Sequence, residues 1–534
     1  MKRTSVAAAV VFGVALLANG QAAQPGPDPL GAASDTPASV SETKPDVAQS
    51  GAAGEQASET PDEDAGRTVP ATTGEQPAKK EDPSKGSDWP NFLGPNYNGM
   101  SPEKGLLREW PKEGPKVLWR IGIMPGWSCP SVSGNDLILA MSEFDPKSKG
   151  YAVQAEHIVC YEAATGKERW KYSYPNSYNN CTVSWVSGGV RATPAITDKR
   201  VYSIDPRGNI KCLDRKTGRL LWGKALDPEF YVRPGVEWKG YNNSPMIIDN
   251  VLVLNGSAGG YATGKGKGEH FIWSLGLDAA TGKQLWMNED KERAPYAKCT
   301  DGGSTAIPIT MSKTACQVVA YNTYLHVIRA RDGKELLRFP MIPPDAVALA
   351  MGSTLCVFGN KVVCNPVAGY MRCVELNLNS PGAKMAWVSP DHYESGDYHN
   401  YVEYKGHLYG VDAYNTVASD LKAGKLNFEC LDAGSGKRTW KEGCVMNGYS
   451  YTAADGLMFL RSYQTLMLVE LDPAKFKLKG KVEKIHSLPV PNMLDSRGLG
   501  DCVMPVLSRG RLFVRCPTEI ICYDAKGTGA NRAK

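Results

Sequence analysis

The chain has 534 residues, 42% of them hydrophobic and 22% charged, so most of it can bury a core and fold. Its 55 glycines and 36 prolines together exceed the average share of about 12%, which argues against a helical bundle and for a turn-rich β protein. A net charge of +5 supports neither a dedicated nucleic-acid binder nor a strongly acidic protein.

The first element is a charged start, Lys2 and Arg3, before an apolar run from Val6 to Ala18 and a small-residue end at Gly20 to Ala23. This pattern predicts a secretory signal peptide over residues 1–22, with an uncleaved anchor as the alternative. The run is too short to span a bilayer comfortably. Residues 23–87 carry 12 acidic and 5 basic side chains, and residues 24–87 contain no aromatic residue. Such a stretch cannot bury enough apolar surface to offset the entropy of ordering, and a disordered acidic linker is expected there. With −7 on that linker and +2 on the leader, the remainder, 88–534, carries +10.

From Asp88 onward aromatic residues return and the chain repeats itself. Segments 160–170, 212–222, 276–286 and 430–440 each place Thr-Gly or Ser-Gly four residues before a tryptophan: Trp170, Trp222, Trp286 and Trp440. Decayed copies end at Leu337 and Trp387, a last one begins at Cys522, and Trp119 heads the series without a repeat before it. These positions recur mostly every 50 to 53 residues, with one interval of 64, a period that argues for a propeller or another repeat array. Within a copy, Ala195-Ile196, Val201 to Ile204, Ile210 to Leu213 and Leu220 to Trp222 are separated by turn residues, which predicts four short hairpin-linked strands. The first strands start near Pro130, Pro194, Pro245, Pro308, Cys356, Val402, Tyr451 and Pro505, which makes eight units. The eighth lacks its tryptophan strand, and 117–119 supplies one without a unit. The expected fold is an all-β, eight-bladed propeller of four-stranded antiparallel blades, closed by the N-terminal strand. Seven blades follow if the weak seventh unit, 449 to about 485, is an insertion.

The Thr-Gly turn followed by tryptophan resembles the PQQ-type β-propeller repeat over residues 88–534, most strongly in units 1, 2, 3 and 6. The segment Asp88-Trp89-Pro90-Asn91-Phe92-Leu93-Gly94-Pro95 is similar to the lead-in of exported bacterial members. The resemblance implies that the tryptophan of each blade packs on the Thr-Gly turn of its neighbour. It also implies one of two functions. Quinoprotein dehydrogenases hold PQQ and Ca²⁺ in the central funnel and oxidise alcohols or sugars. A non-catalytic branch, which includes the outer-membrane protein assembly factor of the Bam complex, binds partner proteins in the cell envelope. The chain has neither an adjacent Cys-Cys pair nor a C-x-x-C-H haem site, features of many quinoprotein alcohol dehydrogenases, and this favours the non-catalytic branch.

In such a fold the residues just before each first strand face the funnel. They are Trp127 and Ser128, Arg191, Asn242 and Asn243, Ser304 and Thr305, Ser353, His399 and Asn400, Tyr449, and Asp501. A tricarboxylate such as PQQ needs cations, amides and an aromatic platform, for which Trp127, Arg191, Asn243, Thr305, His399 and Tyr449 are the candidates. Asp301 and Asp501 are the candidates for an oxygen-rich Ca²⁺ site. The alternative is a channel lined by polar groups and water, with no cofactor.

Five cysteines, Cys160, Cys212, Cys373, Cys430 and Cys522, share one repeat position and are expected as buried thiols, too far apart to pair with one another. Export permits other disulfides, and Cys516–Cys522 and Cys364–Cys373 are candidates across hairpins. No C-x-x-C pair favours zinc. Segment 259–266 approaches a phosphate-binding loop, but Gly266 stands where Ser or Thr must hold Mg²⁺. His392, His399 and His407 read as a solvated cluster, since no two lie four residues apart.

Overall fold

The computed structural model describes residues 86–526 except 146, 148–151, 180–188, 227–240, 242, 256–270, 291–304, 322–323, 342–353, 365–368, 394–400, 413–425, 445–449, 463 and 487–502. The chain divides into units 1–71 and 72–534, and every described residue belongs to the second.

Eight four-stranded antiparallel sheets make up the second unit, and the described residues contain no helix. Blades 1 to 7 span 131–179, 195–225, 246–290, 307–340, 356–393, 402–444 and 450–483. Blade 7 is a complete four-stranded blade, so the seven-bladed alternative falls. Blade 8 takes three strands from the C-terminus, Val506–Ser508, Arg511–Arg515 and Glu519–Asp524, and its outer strand, Val117–Gly122, from the N-terminus. Trp119 lies opposite Cys522 in that pairing, the same register in which Trp222 faces Cys212 in blade 2. Joining the two chain ends in one blade removes the free edge that a linear array would leave.

Each blade buries both of its faces, and this explains the sequence pattern. Eight apolar cores lie between successive blades, from Ile138, Cys160 and Leu213 between blades 1 and 2 to Val132, Phe513 and Cys522 between blades 8 and 1. Inner strands therefore read as continuous apolar runs, such as Val251–Asn255, buried throughout. Outer strands alternate, as in Leu220–Ala225, because one face meets water.

The tryptophans cap these cores as the resemblance implied. The Trp170 indole Nε1–H donates to Arg215 O at 2.9 Å, and its ring fills the space where a side chain on Gly218 would stand, 2.6 Å from Cε3. Trp119 on Gly166, Trp222 on Gly282, Trp286 on Gly333 and Trp387 on Gly436 repeat the contact. Those glycines hold φ of 69–75°, where any side chain adds strain to the clash. Two members depart. Leu337 replaces tryptophan in blade 4, and the corresponding Gly382 has no ring within 4 Å. In blade 7 the equivalent position is Gly480, paired with Leu468. The Trp110 ring, from outside the repeats, lies against it, with a Cβ on Gly480 falling 2.6 Å from Trp110 Cβ.

Thiols sit under the indoles. The ten cysteines whose side chains are described are all buried and free. The two hairpin disulfides do not form, and strand alternation explains why. Cys364 faces the core between blades 4 and 5, whereas Cys373 faces that between blades 5 and 6. Cys516 and Cys522 likewise point to opposite faces of blade 8. Burial pushes the thiols of Cys160 and Cys522 up to about 12.

Candidate functional site

The turns from innermost to second strand all lie on one face of the ring. Several are two-residue turns with both central residues at positive φ, such as Asp249-Asn250 and Ser312-Lys313, the geometry that matches strand twist. Residues 86–110 cross this face as a strap. Asp88 accepts from Ser133 Oγ (2.8 Å) and Gly134 N (2.9 Å) in blade 1 and from Arg509 Nε (2.8 Å) in blade 8. Trp89, fully buried, pairs its backbone with Val132, and Ile196 N of blade 2 donates to Pro90 O at 2.8 Å. Phe92 and Tyr97 pack into the cores joining blades 3, 4 and 5. Met100 pairs with Ala453 of blade 7. The fully buried Glu103 carboxylate accepts from Gly510 N (2.7 Å) and pairs with Lys526 at 3.6 Å. This segment touches blades on all sides of the ring.

The described candidate residues lie at the opposite end, before the innermost strands. Of the eight, Trp127, Arg191, Asn243 and Thr305 are described, while His399, Tyr449, Asp301 and Asp501 lie outside the described residues, as does the segment 259–266. The structure brings Trp127 and Arg191 together. Trp127 N donates to Val190 O at 2.7 Å, and the guanidinium carbon of Arg191 stands 5.8 Å from the indole centroid, a cation–π contact between half-buried groups.

Thr305 instead helps to hold blades together, and Asn243 bonds within blade 3. Cys129 N donates to Thr193 Oγ1 (3.1 Å), Thr193 N to Ser244 Oγ (3.0 Å), and Ser244 N to Thr305 Oγ1 (3.4 Å). Each backbone N–H thus reaches the hydroxyl of the equivalent residue one blade on. The Asn243 amide donates to Asn255 O at 3.2 Å, and both residues are buried. This latch escapes sequence reasoning, although a hydroxyl residue directly before Pro194 and Pro245 marks two of its members.

Two further residues were missed. Arg461 and Arg515 are fully buried at one equivalent position of blades 7 and 8. Arg461 Nη1 donates to Arg515 O, and Arg515 Nη1 donates to Ala140 O (2.9 Å), Ser128 O (2.8 Å) and Ser128 Oγ (2.7 Å). Ala140 is the equivalent residue of blade 1, opposite Ile158 in its sheet. The pair therefore fastens blades 7, 8 and 1 across the closure. Burial draws the Arg515 guanidinium down to about 10, with Cys129 and Tyr161 opposing the fall and Arg461 adding to it.

The fit to PQQ and Ca²⁺ follows from these contacts. The Trp127–Arg191 pair offers one platform and one cation. The Asn243 amide, the Thr305 hydroxyl and the Nη1 donors of both buried arginines are engaged by the protein itself. The described donors do not converge on a tricarboxylate site, and no group of three His, Cys, Asp or Glu side chains placed to hold a metal ion occurs among the described residues. Of the three histidines, His407 has its side chain described; its Nδ1 lies 3.2 Å from Lys405 O at an exposed turn.

The sequence model of the family described as "Outer membrane protein assembly factor BamB" matches residues 154–442. The chain belongs to this family of PQQ-like β-propellers. No curated protein matches the chain. Among solved structures, this PQQ-like propeller is similar to the quinohemoprotein alcohol dehydrogenase of Comamonas testosteroni at 12% identity and a TM-score of 0.57, covering 83% of this chain and 81% of that one. The quinohemoprotein alcohol dehydrogenase ADHIIG of Pseudomonas putida HK5 aligns with the same identity and coverage at a TM-score of 0.54. BamB from Moraxella catarrhalis aligns at 10% identity over 77% of this chain and 97% of its own, with a TM-score of 0.49. At these identities the structural likeness is one of fold. No helix of the described residues is long and apolar enough to cross a membrane.

Proposed function

We propose that this PQQ-like propeller is an exported, non-catalytic binding or scaffold module of the cell envelope, acting in outer-membrane protein assembly. Residues 1–22 serve in this reading as a cleaved leader and 23–87 as a spacer before the propeller at 88–534. The observation that carries it is the engagement of the funnel donors. The buried Thr305 hydroxyl accepts in the latch between blades, and the buried Asn243 amide donates to Asn255 O within blade 3, where a cofactor site needs such groups aimed inward. The family match supports the partner-binding branch. The alternative, a PQQ- and Ca²⁺-dependent dehydrogenase of alcohols or sugars, draws on one feature, the Trp127–Arg191 pair.

Calorimetric titration of the mature chain with PQQ in the presence of Ca²⁺ separates the two. The scaffold reading expects no saturable heat. Stoichiometric binding that Arg191→Ala weakens would establish the dehydrogenase reading in its place.

A further inference from the structure

Charge is unevenly shared among the blades. Residues 191–226, which form blade 2 and its approach, carry nine Lys and Arg and three Asp, so most of the +10 of the propeller sits in one blade. Four of these cations, Lys199, Lys216, Arg219 and Lys224, make no ion pair with any described residue, and the first three are exposed. They lie on the turns and the outer strand of the blade. Among the described residues that strand, Leu220–Ala225, pairs along one edge only, and its Leu220 and Leu221 are each 37% exposed.

Blade 7 shows that this is not the ordinary way of guarding an edge with lysine. Its outer strand, Lys477–Glu483, also carries lysines beside an exposed Leu478, but each is neutralised within the fold. Lys477 pairs with Glu470 (3.5 Å) and Asp472, Lys479 with Glu109 (2.9 Å), and Lys481 with Glu483 (2.6 Å). Blade 2 leaves Lys199, Lys216 and Lys224 without a paired carboxylate among the described residues, and Arg219 acts on Asp214 without forming an ion pair.

We propose that the outer edge of blade 2 is a docking site for an extended acidic segment of a partner protein, added as a fifth strand beside Leu220–Ala225. Open N–H and C=O groups on the strand supply backbone bonds, Leu220 and Leu221 take alternate apolar side chains, and Lys199, Lys216, Arg219 and Lys224 take the carboxylates. This deepens the scaffold reading by naming the chemistry of a partner. Its readout is separate from the PQQ titration, so either can fail alone.

The test uses the mature protein and a fluorescein-labelled peptide of alternating Glu and Val, followed by anisotropy at low and high salt. Saturable binding that weakens with salt is expected. The triple variant K199E, K216E and R219E, all at exposed positions, should bind about tenfold more weakly, at a few tenths of a kcal/mol or more per lost charge contact. A control triple on blades 6 and 7, K437E, K475E and K481E, should bind as the parent does. A Glu-Val peptide N-methylated at alternate residues, which cannot extend a sheet, should lose binding. Absence of binding, equal loss in the control triple, or equal affinity for the N-methylated peptide would overturn the proposal. The last outcome would leave an anion-binding surface without strand addition.

Discussion

Single side chains inside the cores are arranged so that their ionisation couples to folding. Glu335 on the outer strand of blade 4 shows this most directly. Burial works against its charge, yet hydrogen bonds from His326 (2.6 Å) and Arg338 (2.9 Å) outweigh it and hold the carboxyl at about 2, below its ordinary 4.5. A carboxyl lowered in the folded state contributes stability that is complete above its unfolded value and is lost as pH falls through the folded one. Glu335→Gln should therefore cost about 2 kcal/mol at pH 6 and close to nothing at pH 2, seen as converging urea midpoints. A gap that persists at pH 2 would assign the effect to packing alone.

The same scale accounts for the misjudged disulfides. Counting along a hairpin places Cys364 near Cys373, but neighbouring positions in a strand alternate faces. In a blade each face belongs to a different core, so the two thiols are divided by their own sheet.

Elements in this fold are completed by residues that the repeat does not contain. Blade 7 reads as weak because it has no tryptophan in its outer strand, and Gly480 occupies that place. Trp110 supplies the indole from the strap, 9% exposed, between Phe459 and the blade 8 core, and its backbone N–H donates to Lys479 O at 3.1 Å. Trp110→Ala should lower stability by about 3–5 kcal/mol, the range for removing a buried aromatic side chain. Gly480→Ala should also destabilise, because its methyl meets Trp110 at 2.6 Å. In the double variant the combined loss should fall short of the sum, since the ring contacts at 2.9 and 3.0 Å disappear while the one to Trp110 Cβ remains. Additive losses in chemical denaturation would show that the two residues do not share one site.

The whole molecule depends on closing the ring between blades of distant sequence. Beyond the shared sheet of blade 8, the buried Arg461 and Arg515 tie three successive blades through main-chain carbonyls. Replacing Arg515 with Met keeps volume but removes the donor to Ser128 O and one of the donors to Ala140 O, which keeps Ser128 Oγ at 2.9 Å, at a cost of about 3 kcal/mol. Hydrogen exchange should then speed up in blades 8 and 1 while blades 3 to 5 keep their protection. Uniform acceleration around the ring would argue that Arg515 acts on global stability and not on closure.

Periodicity is a local property, and so the sequence by itself determined the four-strand unit and the first-strand starts, within a residue or so of the structure, and pointed to eight blades with seven as the alternative. The pairing of Val117–Gly122 with the C-terminal strand was also legible, because Trp119 lacked a repeat and the last repeat lacked a tryptophan. Only the tertiary structure decided the rest. Which donors face the funnel depends on tertiary contacts, and Thr305 joins the latch to the preceding blade while Asn243 turns to Asn255 O in its own blade. The strap, the substitution of Trp110 for a missing repeat residue and the arginine closure join segments with no shared pattern. Their partners are chosen by the space and the unpaired carbonyls that the assembled ring leaves.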